Sequence, residues 1–235
     1  MGAGCSALRD FGESPRAIPL PIKIKETAQV CHTLLHDPKL YTLLTEADEE
    51  RAARVRAAGC ACGGVLHSAR YPRKPRGIPP ELRQVCYRRH SFCCNLDGCR
   101  SRHTPQSVFY LGRRVYLGAV MLLATAMRCQ VSGRALRQVC EVFGVARATV
   151  DRWRVWWNRD LLATPFWKAA AGGFMPPISQ VMPAGLLARF TATEALAQLF
   201  QALRFLAPLS TLTEVRSGAI PVPHKFGIAG QAVCL

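Results

Sequence analysis

The chain has 235 residues, 49% of them hydrophobic, which is enough apolar matter for a buried core and excludes a disordered polymer. Its formal charge is +16, and the excess sits in one block: residues 51–160 carry 21 Lys or Arg against 5 Asp or Glu, whereas residues 1–50 carry 5 against 8. A block of that kind selects polyanionic partners, nucleic acid first among them.

Residues 1–25 are rich in Gly and Pro, as in AIPLPIKI, and read as an extended or disordered arm. They lack a basic start followed by an apolar stretch, so no secretory signal is expected and the setting reads as cytoplasmic. In that setting the 11 cysteines read as thiols or metal ligands rather than disulfides. Residues 26–58 form a helical segment. Val30, Leu34, Leu35, Leu40, Leu43 and Leu44 recur at helical spacing, and Pro38 divides the segment into two helices. His32 and His36 stand four apart, the spacing of a metal pair, but no third ligand stands near them in the sequence.

Between Gly59 and His103 the helical period vanishes, and cysteines appear among Gly, Pro and Arg. Residues 59–105 are therefore a candidate zinc-ribbon-like segment. CACGG makes one turn and CCNLDGC the other, and two turns that each present two thiolates can close a tetrahedral zinc site. The preferred ligands are Cys60, Cys62, Cys94 and Cys99. Cys93 competes with Cys94, and His67, Cys86, His90 and His103 are alternative donors. Within the segment SARYPRKPRGIPP sets Arg70, Arg73, Lys74 and Arg76 between prolines. Such a stretch is stiff and cationic, suited to lying along a phosphate backbone or in a minor groove.

Residues 110–160 read as a three-helix domain. Its first helix is expected from near Gly112 to about Arg128, through an apolar run from Val115 to Met127 that is too short to cross a bilayer. The next opens at Ser132, a suitable N-cap. The stretch LRQVCEVFGVARATVDRWRVWW follows, two short helices joined at Gly144. Val139, Phe143, Val145, Val150 and Trp153 fall at interior positions, and the small Cys140 faces the crossing. This is the pattern of a helix-turn-helix, whose second helix enters the DNA major groove. The outward face of that helix carries Arg147, Ala148, Thr149, Asp151, Arg152 and Arg154, a mixture of base-reading and phosphate-binding side chains. Trp153 and Trp157 lie four apart on one stripe with Val150 and Leu161, which favours core packing over stacking on bases.

Residues 161–207 read as a linker, TPFWKAAAGGFMPP, then an apolar helix from about Gly185 to Leu206. That helix either folds back on the domain or pairs with a partner chain, so a homodimer through residues 185–206 is an expectation. Residues 208–235 read as a flexible tail. The fold class is thus mainly α with a small irregular or β zinc-ribbon-like segment and a helix-turn-helix domain.

Three stretches, CACGGVLHSARYPRKPRG, RRHSFCCNLDGCRSRHTPQSVFYLGRRVYLGAV and LRQVCEVFGVARATVDRWRVWW, resemble the zinc-ribbon and helix-turn-helix proteins of bacterial insertion sequences, which are transposases or transposase-related. They lie within residues 60–157 and comprise 73 of the 235 residues. The resemblance implies zinc at Cys60, Cys62, Cys94 and Cys99, contacts to double-stranded DNA that include Arg147 and Arg152, and a place at the bacterial nucleoid. The C-x-C turn is one residue shorter than the family's usual knuckle. A transposase core needs three carboxylates converging on two metal ions, and only Asp160, Glu194 and Glu214 follow the DNA-binding helices. The expectation is a non-enzymatic DNA-binding accessory or regulator of a mobile element. Two alternatives are a truncated transposase whose catalytic part is supplied in trans and an RNA-binding or assembly module.

Overall fold

The computed structural model describes residues 24–73, 75–84, 88–112, 115–128, 133–178 and 181–211. Lys74, Cys86, Ser132, almost all of the expected arm and the tail after Thr211 lie outside the described residues. The architecture is mainly helical, with a small antiparallel sheet beside the helices.

Helix α1 (Ile24–His36) and helix α2 (Pro38–Ala58) meet where Pro38 cannot continue α1 but suits the first turn of α2. Asp37 caps that turn by accepting a hydrogen bond from the Lys39 amide at 2.9 Å. One stripe of α2, Leu40, Tyr41, Leu44, Ala47 and Ala52, is buried. His32 and His36 stack at 4.2 Å, and His36 Nδ1 lies 3.4 Å from Glu81. No third ligand joins them among the described residues.

Strands β1 (Leu66–Ser68), β4 (Phe92–Cys94) and β5 (Arg102–His103) form an antiparallel sheet in the order β1-β4-β5, with Leu66 opposite Cys94 and Phe92 opposite His103. Strands β2 (Tyr71–Pro72) and β3 (Arg88–Arg89) pair separately. The sheet has its own small core of Leu66, Phe92, Cys60 and Cys94, seated on Ala52 near the end of α2.

Helix α3 spans Gly118–Arg128, starting six residues after the expected Gly112. Gly112 instead takes a left-handed turn at φ +70°, and Tyr110 pairs with Leu117 across it. This pairing holds Val115 to Leu117 out of the helix, and Val115 is exposed. From Ala119 to Met127, α3 is buried all round, as its uniformly apolar sequence requires. It packs against α1, against helices α4 (Gly133–Phe143) and α5 (Arg147–Val155), and against helices α8 (Ala184–Leu187) and α9 (Ala195–Leu206).

The segments expected at 26–58, 110–160 and 161–207 therefore share one core, running from Cys31 to Leu209. After α5 the chain widens into a π turn (Trp156–Asp160) and continues as α6 (Leu161–Ala163). The first half of the expected linker, residues 164–177, is a helix, α7 (Pro165–Ala171), because Thr164 accepts from the Trp167 amide and Pro165 fits the first turn. The expected continuous helix over 185–206 is two helices, broken at residues 188–194 where TAT interrupts the pattern. Leu199, Ala202, Leu203, Phe205 and Leu206 of α9 are buried in the chain's own core. Residues 185–206 therefore fold back on the domain, the first of the two arrangements expected for them.

Candidate metal centre and cationic helix

At the first cysteine turn the Gly63 amide donates to the Cys60 carbonyl at 2.9 Å, and the Cys60 amide donates to Gly64. At the second, the amides of Cys99 and Arg100 both donate to the Leu96 carbonyl at 3.0 Å, and the Cys94 amide donates to Ser101. Asn95 ties the two turns together: its Oδ1 accepts from the Val65 amide at 2.9 Å, and its own amide donates to Val65. A Cβ on Gly64 would lie 2.5 Å from Cys94 Sγ, so only glycine allows the first turn to come this close to the second.

These turns gather four sulfurs from Cys60, Cys62, Cys94 and Cys99, all within 4.8 Å of one another. The Cys60–Cys99 and Cys62–Cys94 separations are 3.6 and 3.4 Å. Zinc–sulfur bonds of about 2.3 Å at tetrahedral angles set sulfurs about 3.8 Å apart, so the donor set fits zinc. Hydrogen bonds from the Ser101 hydroxyl, whose oxygen lies 2.9 Å from Cys99 Sγ, and from the Ser101 backbone pull the Cys99 thiol down to about 6. That favours a thiolate at Cys99, whereas, against a Gly64 backbone hydrogen bond, the other sulfurs push Cys62 up to about 12.

The alternation of β4 decides between Cys93 and Cys94. Cys94 is fully buried among the four sulfurs, while Cys93 lies in register with His67 and Arg102 and donates to the Arg100 carbonyl at 3.5 Å. His67, His90 and His103 do not join the cluster.

The second candidate site is α5. Helix α4 ends in a Schellman motif: Gly144 takes φ +58°, its amide donates to Glu141, and the Val145 amide donates to Cys140 at 2.9 Å. The chain turns there, and α5 buries Val150 and Trp153 while Phe143 and Val145 close the corner. Its N-cap is Ala146, which offers no side-chain hydrogen bond. On the other side Arg147, Ala148, Arg152 and Arg154 are exposed, with Thr149 and Asp151 half-buried. Arg152 donates to the Thr149 hydroxyl at 3.1 Å, and Arg147 lies 3.7 Å from Asp151. Exposed pairs like these are weak and leave the guanidinium groups open to a stronger acceptor.

The arginine-rich stretch is anchored rather than free. Arg73 lies 4.2 Å over the Tyr110 ring. The Arg76 amide donates to Val115, and its guanidinium lies over Tyr116. Tyr116 in turn meets Trp153 of α5 edge-on at 4.9 Å, so one pair of rings links Arg76 to the cationic helix. Arg70 is exposed on the sheet side.

A buried polar group had no signature in the sequence. Asp48 of α2 accepts from the Ser107 hydroxyl at 2.5 Å and from the Val108 amide at 2.8 Å, and Arg89 of β3 lies 3.9 Å away. Burial pushes the Asp48 carboxyl above its ordinary range, against those hydrogen bonds and the Arg89 charge.

No helix among the described residues is long and apolar enough to cross a membrane. Comparisons with protein-family models, curated proteins and solved structures give no match for the chain.

Proposed function

We propose that this chain is a sequence-selective double-stranded-DNA-binding protein, acting as an accessory or regulator of a mobile element. The observation that carries the reading is α5, which buries Val150 and Trp153 and turns Arg147, Arg152 and Arg154 outward. In this reading α4 and α5 are a helix-turn-helix, and α5 enters the major groove while Arg73 and Arg76 meet backbone phosphate. Zinc at Cys60, Cys62, Cys94 and Cys99 would supply structure, since four thiolates complete a tetrahedral shell with no open position. The link to mobile elements rests on the resemblance to insertion-sequence proteins.

Arg152 supplies the test. Its replacement by Ala is expected to weaken binding to a selected duplex by roughly 5- to 150-fold, about 1–3 kcal/mol, with relaxed preference at a single base position. Equal weakening on every sequence would reduce Arg152 to a phosphate contact, and no weakening would remove α5 from the interface.

A further inference from the structure

A second feature of the basic block is a small cleft between α2, β3 and the segment before α3, about 30 Å³ in volume. Its lining includes Thr45, Asp48, Arg88, Arg89 and His90. The Arg89 side chain is only 2% exposed. Its NH2 donates to the Pro105 carbonyl at 2.5 Å, but its NH1, and with it the buried Thr45 hydroxyl, has no hydrogen-bond partner among the described residues. Buried polar atoms in this condition are costly, by about 1–3 kcal/mol each, and call for an explanation.

Asp48 does not meet the need. Its Oδ2 is an ion-pair partner of Arg89 NH1 but stays 3.9 Å away, beyond hydrogen-bond reach, while its two oxygens accept from Ser107 and Val108. A guanidinium only donates, so the missing partner is an acceptor. Arg51 and Arg73 add positive charge around the Asp48–Arg89 pair, and Arg70 adds it beside His90, where Glu49 is the opposing carboxylate. Cations outnumber carboxylates here, which favours an anionic acceptor over a neutral one. The volume restricts it further. The cleft is small and Arg88 beside it is exposed, so the ligand reaches in with one oxygen while Arg88 meets its body outside.

We infer that this cleft binds one terminal oxygen of a phosphate group, held by Arg89 NH1 and the Thr45 hydroxyl, with Arg88 meeting the rest of the group at the mouth. The ligand class is a phosphate ester or free phosphate. Its assignment to a DNA backbone rests on the reading above, whereas the cleft's chemistry does not. The site lies outside both the cysteine cluster and α5 and adds a non-sequence-specific contact to the basic block.

The experiment has two arms on the full chain, with Thr45→Val, which keeps the volume, and Arg88→Ala, which leaves the buried pair intact. In the first, inorganic phosphate is titrated while the NMR signals of Thr45 and His90 are followed. The wild type is expected to shift and saturate, and Thr45→Val to respond at least several-fold more weakly. In the second, duplex binding is measured against salt. Arg88→Ala is expected to weaken all sequences alike and to reduce the slope of log K on log salt by about 0.9, one phosphate contact. A response only to free phosphate keeps the site and removes the DNA reading from it, and an effect only on the duplex identifies the diester as the source. Unchanged signals with an unchanged slope would mean the cleft holds water alone and would overturn the inference, while duplex binding through α5 would still stand.

Discussion

Stripping the metal with a chelator, or replacing Cys94 by Ala, is expected to abolish amide-exchange protection across residues 60–68 and 92–103 while the helical core stays protected. The reason lies in how little else holds this segment. Strands β1, β4 and β5 are two or three residues long, and their core is Leu66, Phe92 and two of the four clustered cysteines, with Ala52 beneath. A sheet of that size does not stabilise itself in water. Structural zinc contributes about 10–16 kcal/mol of apparent binding energy at neutral pH, and where no site exists before folding that energy is folding energy. The helices draw on a separate cluster from Cys31 to Leu209 that contains none of the four clustered cysteines. Zinc content near one per chain should fall to near zero in the variant. Full protection after chelation would mean that the four sulfurs pack without a metal.

The second large effect is expected at Trp157, which is fully buried. Trp157→Ala should cost about 3–5 kcal/mol, read from the denaturant midpoint, because it leaves a large void in the main core. Against a typical total of about 5–15 kcal/mol, that is a large share. Trp157→Phe should cost far less, since the indole Nε1 has no hydrogen-bond partner among the described residues and losing a stranded donor offsets part of the lost packing. The local backbone supports this role. Trp153, Trp157 and Leu161 recur every four residues, which in an ordinary α-helix would rotate the stripe by about 40° per step. The wider π turn over Trp156–Asp160 takes up that rotation and keeps Trp157 and Leu161 on the core side. Equal losses for Ala and Phe would contradict this account.

Where the determinants are local, the sequence announced them. Val150, Trp153 and Trp157 face the core because their spacing is helical, and Gly144 turns because a left-handed residue is needed there. The four clustered cysteines were legible as two turns, although only the alternation of β4 separates Cys94 from Cys93. Long-range pairings left no such trace. The start of α3 is set by Tyr110 pairing with Leu117 and by Arg76 pairing with Tyr116, 40 residues further along the chain, and a helical period cannot foretell either. The Asp48–Arg89 pair joins α2 to β3 through a loop at Ser107 and belongs to no motif. The α7 start was readable in Thr164-Pro165, a cap followed by a first-turn proline, but the glycines and prolines after it masked the signal. The break before α9 shows the reverse case, where apolar residues on both sides of TAT suggested one helix and the chain uses them in two.

Selection of bound duplexes from a random pool, at about 150 mM salt where non-specific phosphate binding is weakened, tests the central claim most directly. The account predicts a short enriched site whose preference at one base pair disappears in Arg152→Ala. Uniform recovery of all sequences, unchanged by that substitution, would contradict it and leave a cationic protein without a reading helix.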